Sequence, residues 1–148
     1  MAEASTAMIN PYRPHLVRIA AMRDETPDVR TLTLHFADEV AGASFPAWEP
    51  GQFGEYTVFG AGECVFALAN PPDRERAGAP TLECTYRAIG KVTTALRGLD
   101  VGQLIGFRGP YGNAFPLADW HGRDLVFLGG GIGMAALRAA LLDRKSVV

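Results

Sequence analysis

A succession of short apolar segments separated by turn residues, from residue 15 to residue 108, constrains the fold more than any other feature. Short segments with alternating apolar residues, bounded by Gly, Pro, Asn or Asp, are typical of β-strands. In one of them, Leu32, Leu34 and Phe36 share a face. The pattern predicts six strands, over residues 15–22, 29–36, 53–59, 65–69, 81–87 and 103–108.

One segment in this region has a helical period instead. Apolar residues at the spacing i, i+3, i+4, i+7 predict a short helix with one buried face, formed by Val92, Ala95, Leu96 and Leu99. Six short strands with a single short helix indicate an all-β fold, either a closed antiparallel barrel or a sandwich.

The pattern changes after residue 115. Residues 124–128 form a short apolar run, typical of a strand buried on both faces in a parallel sheet. A glycine-rich loop at 129–133 follows, and then a helix at 134–142. Strand, glycine loop and helix open a nucleotide-binding unit, whose second parallel strand would require a longer chain. We therefore expect residues 118–148 to be the truncated first β-α unit of a Rossmann-like domain.

Composition and charge exclude several classes of function. The 148 residues are 48% apolar and 20% charged with a net charge of −2, so no broad basic field for nucleic acid is expected. Two cysteines make neither a disulfide framework nor a zinc site. The first residues lack the basic and apolar regions of a signal peptide, and no apolar stretch is long enough to span a bilayer. The expectation is a cytoplasmic protein with no membrane or nucleic-acid partner.

Three segments are candidates for binding a ligand, and each has a plainer structural interpretation. The glycine loop at 129–133 could hold a phosphate at a helix start, or it could be only a tight turn. In residues 86–93, Arg87, Thr93 and free backbone amides could bind a diphosphate together, or the segment could be the start of an ordinary capped helix. Residues 108–115 could pack an aromatic ring on a flat ligand, or form a self-anchored loop.

Acid–base and nucleophilic machinery is scarce. The chain has three serines, none in a nucleophile-elbow setting, and its three histidines stand far apart. No catalytic residue is therefore assigned, and a bound cofactor is expected to supply the chemistry.

Five motifs in order make the sequence similar to the ferredoxin–NAD(P)H reductase superfamily. They are Pro50-Gly-Gln-Phe53, Cys64-Val-Phe-Ala67, Tyr86-Arg87 with Gly90-Lys-Val-Thr93, Gly109-Pro-Tyr-Gly112 and Gly129-Gly-Gly-Ile-Gly133. Within the superfamily, the chain resembles the gamma (flavin) subunits of cytoplasmic hydrogenases and sulfur reductases. It is also similar to the related electron-transfer subunit of dihydroorotate dehydrogenase.

The resemblance implies a six-stranded antiparallel Greek-key barrel that binds FAD, over residues 11–117 after a tail at 1–10. An NAD(P) domain would start after it, and electrons would pass between nicotinamide, flavin and an iron–sulfur, hydrogenase or sulfur reductase subunit. By position, the resemblance implies that the flavin ring lies along Cys64, Val65, Phe66 and Ala67. It places Thr85, Tyr86 and Arg87 along the flavin and its diphosphate, and Val92 and Thr93 at the diphosphate. The NAD(P) site would begin with Gly129, Gly130, Gly131 and Gly133.

The chain departs from the superfamily pattern at two of these positions. Where relatives commonly have Arg-x-Tyr-Ser, this chain has Cys64 for the arginine and Ala67 for the serine. The arginine pairs with phosphate and the serine hydroxyl reaches flavin N5. The leading interpretation is the FAD-binding portion of an electron-transfer subunit, inactive alone because the NAD(P) domain is truncated. The alternatives are FMN in place of FAD, a flavin-free barrel serving as a binding or assembly module, and a non-functional fragment.

Overall fold

Six antiparallel strands form the body of the structure, a computed structural model that describes residues 10–72 and 78–143. Apart from Asn10, the predicted tail at 1–10 lies outside the described residues, and so does the end of the predicted 118–148 unit. The hydrogen-bonded order is β4-β3-β6-β1-β2-β5. The strands are β1 His15–Asp24, β2 Val29–Phe36, β3 Phe53–Val58, β4 Gly62–Ala67, β5 Thr81–Arg87 and β6 Leu104–Tyr111.

All six predicted strands are present, and β2 and β5 have the predicted bounds. Two differences concern the candidate segments. β4 starts at Gly62, three residues before the predicted start, because it pairs with β3 from the turn onward. β6 continues to Tyr111, so Gly109 and Pro110 belong to a strand and not to the predicted loop.

The core lies inside the curved sheet and is formed by alternate residues of each strand. On β5, Leu82, Cys84 and Tyr86 are buried, while the residues between them are more exposed. Aromatic rings occupy the centre, where Tyr56 and Phe107 lie 5.1 Å apart between ring centroids. A Cβ atom at Gly54 would lie 2.1 Å from the Phe107 ring, so this strand position accepts only glycine. The period-2 pattern thus selects which β5 side chains face the core and which face outward.

The ladder does not close the barrel between the two end strands, β4 and β5. Among residues 10–72 and 78–143, one backbone bond spans the gap, from Ala69 N to Glu83 O at 2.8 Å. The side chain of Asn70 adds two bonds to β5, donating to Thr81 O at 2.9 Å and accepting from Glu83 N at 2.8 Å. The predicted closed barrel is therefore open in its strand pairing, and we call this gap between β4 and β5 the seam.

Two short helices flank the sheet. Helix α1, Glu39–Ala43, was not predicted, and Asp38 caps it by accepting from the amides of Val40 and Ala41. Helix α2, Lys91–Arg97, confirms the helical period at 92–99. The turn signals after residue 97 end it as expected, at Gly98.

The C-terminal unit is only half as predicted. Helix α3, Met134–Leu142, has the predicted bounds, but residues 124–128 form no strand. A parallel strand needs a neighbour for its backbone groups, and this segment has none among residues 10–72 and 78–143. Two of its apolar side chains consequently remain in solvent, with Val126 84% and Leu128 88% exposed.

No helix in the described part of the chain is both long and apolar enough to cross a membrane.

Candidate functional site

A cavity of about 510 Å³ lies where three parts of the structure meet: the turn between β1 and β2, the end of β5, and the glycine loop with the start of α3. Its charged lining comes from Arg23, Glu25, Asp28, Arg87 and Arg138. Its apolar lining comes from Val29, Ile132, Met134 and Ala135. A cavity with apolar walls and a few polar groups suits an organic molecule with flat and polar parts.

Three of the predicted site residues, Thr85, Arg87 and Gly131, line this cavity together. Thr85 and Arg87 are alternate residues of β5 and point outward, away from the core. Tyr86, which stands between them, points inward and is fully buried. The structure therefore separates the predicted Thr85-Tyr86-Arg87 run: two side chains face the cavity and the third belongs to the core.

Arg87 is paired with a carboxylate that the sequence analysis did not single out. Its Nε forms an ion pair with Oδ2 of Asp28, which lies in the turn just before β2. Hydrogen bonds from Arg87 and then from Thr26 hold the pKa of Asp28 below its ordinary value. Both side chains are partly exposed, at 54% and 41%, so the pair is weak enough to exchange for another anion.

Behind this pair, a row of hydrogen-bonded side chains runs along the cavity wall. Thr85 Oγ1 and Thr31 Oγ1 are 2.8 Å apart, and Thr31 donates to Glu25 Oε1 at 2.7 Å. The same carboxylate accepts from Arg23 Nη2 at 2.7 Å. These bonds, from Arg23 first and Thr31 second, lower the pKa of Glu25. The row keeps the hydroxyl of Thr85 oriented at the cavity surface.

The glycine loop has open space around three of its glycines, and one of these, Gly131, lines the cavity. A Cβ at Gly130, Gly131 or Gly133 would meet nothing within 4 Å, whereas one at Gly129 would lie 3.1 Å from Met134 N. Gly131 has a positive φ of 56°, which favours glycine. A ligand can therefore approach the backbone groups of this loop. Side chains larger than glycine at these positions would occupy the space that the ligand needs.

The predicted ring-contacting residues on β4 lie beside the seam. Cys64 and Ala67 are partly buried and Val65 is 55% exposed, facing away from the core. Phe66 leans into the barrel, with its ring centroid 5.3 Å from that of Tyr56 and 5.6 Å from that of Tyr86. Burial raises the pKa of the Cys64 thiol to about 11, so the thiol is protonated at neutral pH.

Val92 and Thr93 lie at the start of α2, next to the beginning of β4. A Cβ at Gly62 would lie 3.1 Å from Val92 Cγ2. The Thr93 hydroxyl is already used to cap the helix, accepting from Gly90 N at 2.8 Å and Ile89 N at 3.1 Å. It also donates to Gly90 O at 3.1 Å. Thr93 therefore shapes this turn through its side chain, and its hydroxyl has no free donor for a phosphate.

The predicted residues fall into two groups on either side of the seam. Thr85, Arg87 and Gly131 line the cavity, and the β4 residues with Val92 and Thr93 lie on the other side. The aromatic contact between Phe66 and Tyr86 joins the groups. Sequence reasoning missed the wall formed by Arg23, Glu25 and Asp28. The only signal for it is a run of charges at a predicted turn, which is more often a solvated loop.

No group of His, Cys, Asp or Glu side chains in the described ranges is arranged to hold a metal ion.

Comparison with known proteins places this geometry in context. No family model matches the sequence. The chain is 34% identical over 133 residues to the sulfhydrogenase 2 gamma subunit of Pyrococcus furiosus. It is 35% identical over 135 residues to a probable dihydroorotate dehydrogenase B (NAD(+)) electron transfer subunit of Methanothermobacter thermautotrophicus. Each match covers 90% of this chain and 44% of the relative.

The fold comparison agrees with the sequence comparison. The structure superimposes on the Amycolatopsis cytochrome P450 reductase GcoB with a TM-score of 0.66 at 26% identity, covering 90% of this chain and 39% of the reductase. It superimposes on a ferredoxin NADP+ reductase from Neisseria gonorrhoeae, whose crystals contain FAD and NADP, with a TM-score of 0.67 at 22% identity. That match covers 88% of this chain and 51% of the reductase.

The chain is similar in sequence to these two subunits, and its fold is that of the ferredoxin-reductase-like structures it superimposes on. Its relatives include electron-transfer subunits of oxidoreductases, as the resemblance predicted. The chain spans less than half the length of the two curated relatives, and its match to them includes the barrel, the seam and the glycine loop.

Proposed function

We propose that this chain is the FAD-binding portion of an NAD(P)H-dependent electron-transfer subunit. Residues 11–117 would form the flavin-binding part, and residues 118–148 would begin the nicotinamide-binding part. The observation that carries the proposal is the cavity in which β5 residues Thr85 and Arg87 face Gly131 of the glycine loop. Two motifs that are far apart in sequence, and that resemble flavin and nicotinamide sites, thereby line one space.

The residues present fit a flavin nucleotide. The cavity offers apolar side chains at Val29, Ile132 and Met134 for a flat ring, and hydroxyl and guanidinium groups at Thr85 and Arg87 for polar edges. The open side of the glycine loop leaves room for a further ligand to approach. FAD, when bound, accepts a hydride from nicotinamide and releases single electrons.

The chain's own residues have distinct tasks in this proposal. Arg87 would exchange Asp28 for a phosphate oxygen, since their exposed ion pair contributes little stability. Thr85, oriented by Thr31, would present its hydroxyl to the bound molecule. Phe66, in the position where the superfamily pattern has tyrosine, would keep the seam closed beside the site by packing on Tyr86. Gly129, Gly130 and Gly133 would admit the nicotinamide nucleotide alongside Gly131.

The partner is proposed from the relatives. Their names describe a gamma subunit and an electron transfer subunit, so both act within multi-subunit enzymes. We infer that the partner would be a subunit of hydrogenase or sulfur reductase type, whose iron–sulfur group would accept the electrons. The whole enzyme would work in the cytoplasm.

Thermal unfolding with graded flavin fragments tests the proposal. A ligand that binds only the folded chain at 100 times its dissociation constant stabilises it by about 2.7 kcal/mol. We expect FAD to raise the melting temperature more than riboflavin does, because only FAD carries the diphosphate. AMP serves as the control for a site that recognises only the adenosine part. No shift with FAD or FMN at millimolar concentration would contradict the proposal.

A flavin-free barrel that acts as a binding or assembly module is the second candidate. Three observations favour it: Cys64 and Ala67 replace the residues that relatives use, Arg87 is already paired, and the Thr93 hydroxyl is occupied by its cap. This candidate predicts a melting temperature that no flavin changes. The thermal experiment therefore separates the two candidates directly.

A further inference from the structure

We propose that Arg138 of helix α3 is a positioning residue that fixes the glycine loop over the cavity by anchoring α3 to the seam. Its Nη1 donates to Ala69 O at 2.9 Å and forms an ion pair with Glu83 Oε2. Ala69 and Glu83 are the two residues whose backbone bond spans the seam. One guanidinium nitrogen thus contacts both sides of the gap.

The surroundings make this anchor stronger than an ordinary surface ion pair. The side chains of Arg138 and Glu83 are only 30% and 23% exposed. Hydrogen bonds to charged groups contribute more than neutral ones, and partial burial protects them from screening by salt. Arg138 has no need of a ligand to complete this contact, because two acceptors already engage its Nη1.

The loop contacts β5 directly, and α3 holds it from its C-terminal end. The segment that leads into it, 124–128, forms no strand in the described ranges. The side of α3 that packs on the sheet is made of small residues, with Ala139 and Ala140 fully buried. Small side chains bury little apolar area, so the polar anchor supplies a large share of the docking energy.

The helix carries the effect of the anchor to the cavity. Gly131 and Ile132 line the cavity just before α3 begins, and Met134 and Ala135 line it in the first turn. Arg138 lies in the next turn of the same rigid helix. If Arg138 releases the seam, these residues move together and the wall opposite Thr85 and Arg87 is lost.

Matched substitutions in the full chain test the anchor. Arg138→Gln and Glu83→Gln each remove the charge pair, and Arg138→Lys keeps the charge but not the planar fork. Combining Arg138→Glu with Glu83→Arg exchanges the partners. Arg123→Gln, at an exposed arginine outside the cavity lining, is the control.

Amide hydrogen exchange of α3 is the first readout and does not require a cofactor. We expect exchange in α3 to accelerate about tenfold in Arg138→Gln, with amides of β1 and β6 unchanged. Arg138→Lys and the exchanged pair should recover part of the protection. Exchange in α3 that stays at the wild-type rate in Arg138→Gln would overturn the proposal, and so would an equal acceleration in Arg123→Gln.

The FAD dissociation constant is the second readout and rests on the proposed function. It should rise about tenfold in Arg138→Gln and remain unchanged in Arg123→Gln. An unchanged constant would overturn the positioning role even if α3 exchanged faster. A wild-type chain that binds no FAD would refute the proposed function instead, and hydrogen exchange alone would then decide whether Arg138 anchors α3.

Discussion

Phe66 and Tyr86 pack against each other across the seam, with ring centroids 5.6 Å apart and planes inclined by 31°. One ring belongs to β4 and the other to β5, the two end strands of the sheet, which are not paired with each other. The contact therefore closes the barrel interior where backbone bonds do not. It also links the two groups of proposed flavin-binding residues.

Replacing Phe66 by leucine should lower the free energy of unfolding by about 1 kcal/mol, because an aromatic pair contributes roughly 0.5–1.5 kcal/mol beyond its buried area. Urea unfolding followed by circular dichroism measures this. Phe59→Leu is a matched control, since Phe59 is 57% exposed in the turn between β3 and β4. Equal effects of the two substitutions would show that the Phe66–Tyr86 contact adds nothing.

Opening the seam elsewhere should cost more. Asn70→Ala removes one donor and one acceptor that serve Thr81 O and Glu83 N, leaving both backbone groups without that partner. We expect a loss of about 1–3 kcal/mol in the free energy of unfolding. Asn113→Ala, at an exposed asparagine, serves as the control. A loss in the free energy of unfolding no larger than that of Asn113→Ala would contradict the role given to Asn70.

Restoring the superfamily arginine should strengthen flavin binding. Cys64→Arg introduces a cation at the position where the superfamily pattern has arginine, and a charge-assisted bond to phosphate of about 1.5 kcal/mol would tighten FAD binding roughly tenfold. Val65→Arg adds the same charge on the adjacent residue, which points away from the core. Titration of flavin fluorescence compares the two variants. Equal gains would indicate general charge attraction and not a specific site.

Changes at the Arg87–Asp28 pair should act on FAD affinity in opposite directions. Arg87→Ala removes the cation and should raise the dissociation constant about tenfold. Asp28→Asn releases Arg87 from its competitor and should lower the constant. Isothermal titration with FAD measures both. If Asp28→Asn weakened binding as Arg87→Ala does, Asp28 would be orienting Arg87 and not competing for it.

The reactivity of Cys64 should follow its raised pKa. A thiol with a pKa of about 11 is almost entirely protonated at pH 7, and only the thiolate attacks alkylating reagents. The rate of iodoacetamide labelling should therefore rise about tenfold for each pH unit from 7 to 10. Mass spectrometry of the labelled chain gives this rate, with fully buried Cys84 as the internal comparison. A rate that levels off below pH 9 would contradict the burial of Cys64.

The fold was largely predictable because local patterns determine it. Alternation marked β2, turn residues bounded β5, the helical period located α2, and the glycine loop marked the start of α3. Helix α1 escaped because its five residues carry no apolar stripe, and only its cap at Asp38 marks it. Residues 124–128 have the composition of a buried strand but not the neighbour that such a strand requires.

Part of the candidate site was predictable, because motifs indicate a class of ligand but not the arrangement of the side chains. Thr85, Arg87 and Gly131 do meet at one cavity. The inward orientation of Tyr86 follows from the strand period and was available in the sequence. The pairing of Arg87 with Asp28, and of Arg138 with Glu83, depends on contacts between distant segments, which no local pattern encodes.

The most direct test of the account is a visible absorption spectrum of the purified chain after mixing with excess FAD and desalting. We expect a retained flavin spectrum, which Arg87→Ala weakens and Cys64→Arg strengthens. A folded chain that leaves the column without flavin, in the wild type and in Cys64→Arg alike, would contradict the claim that this barrel binds the cofactor.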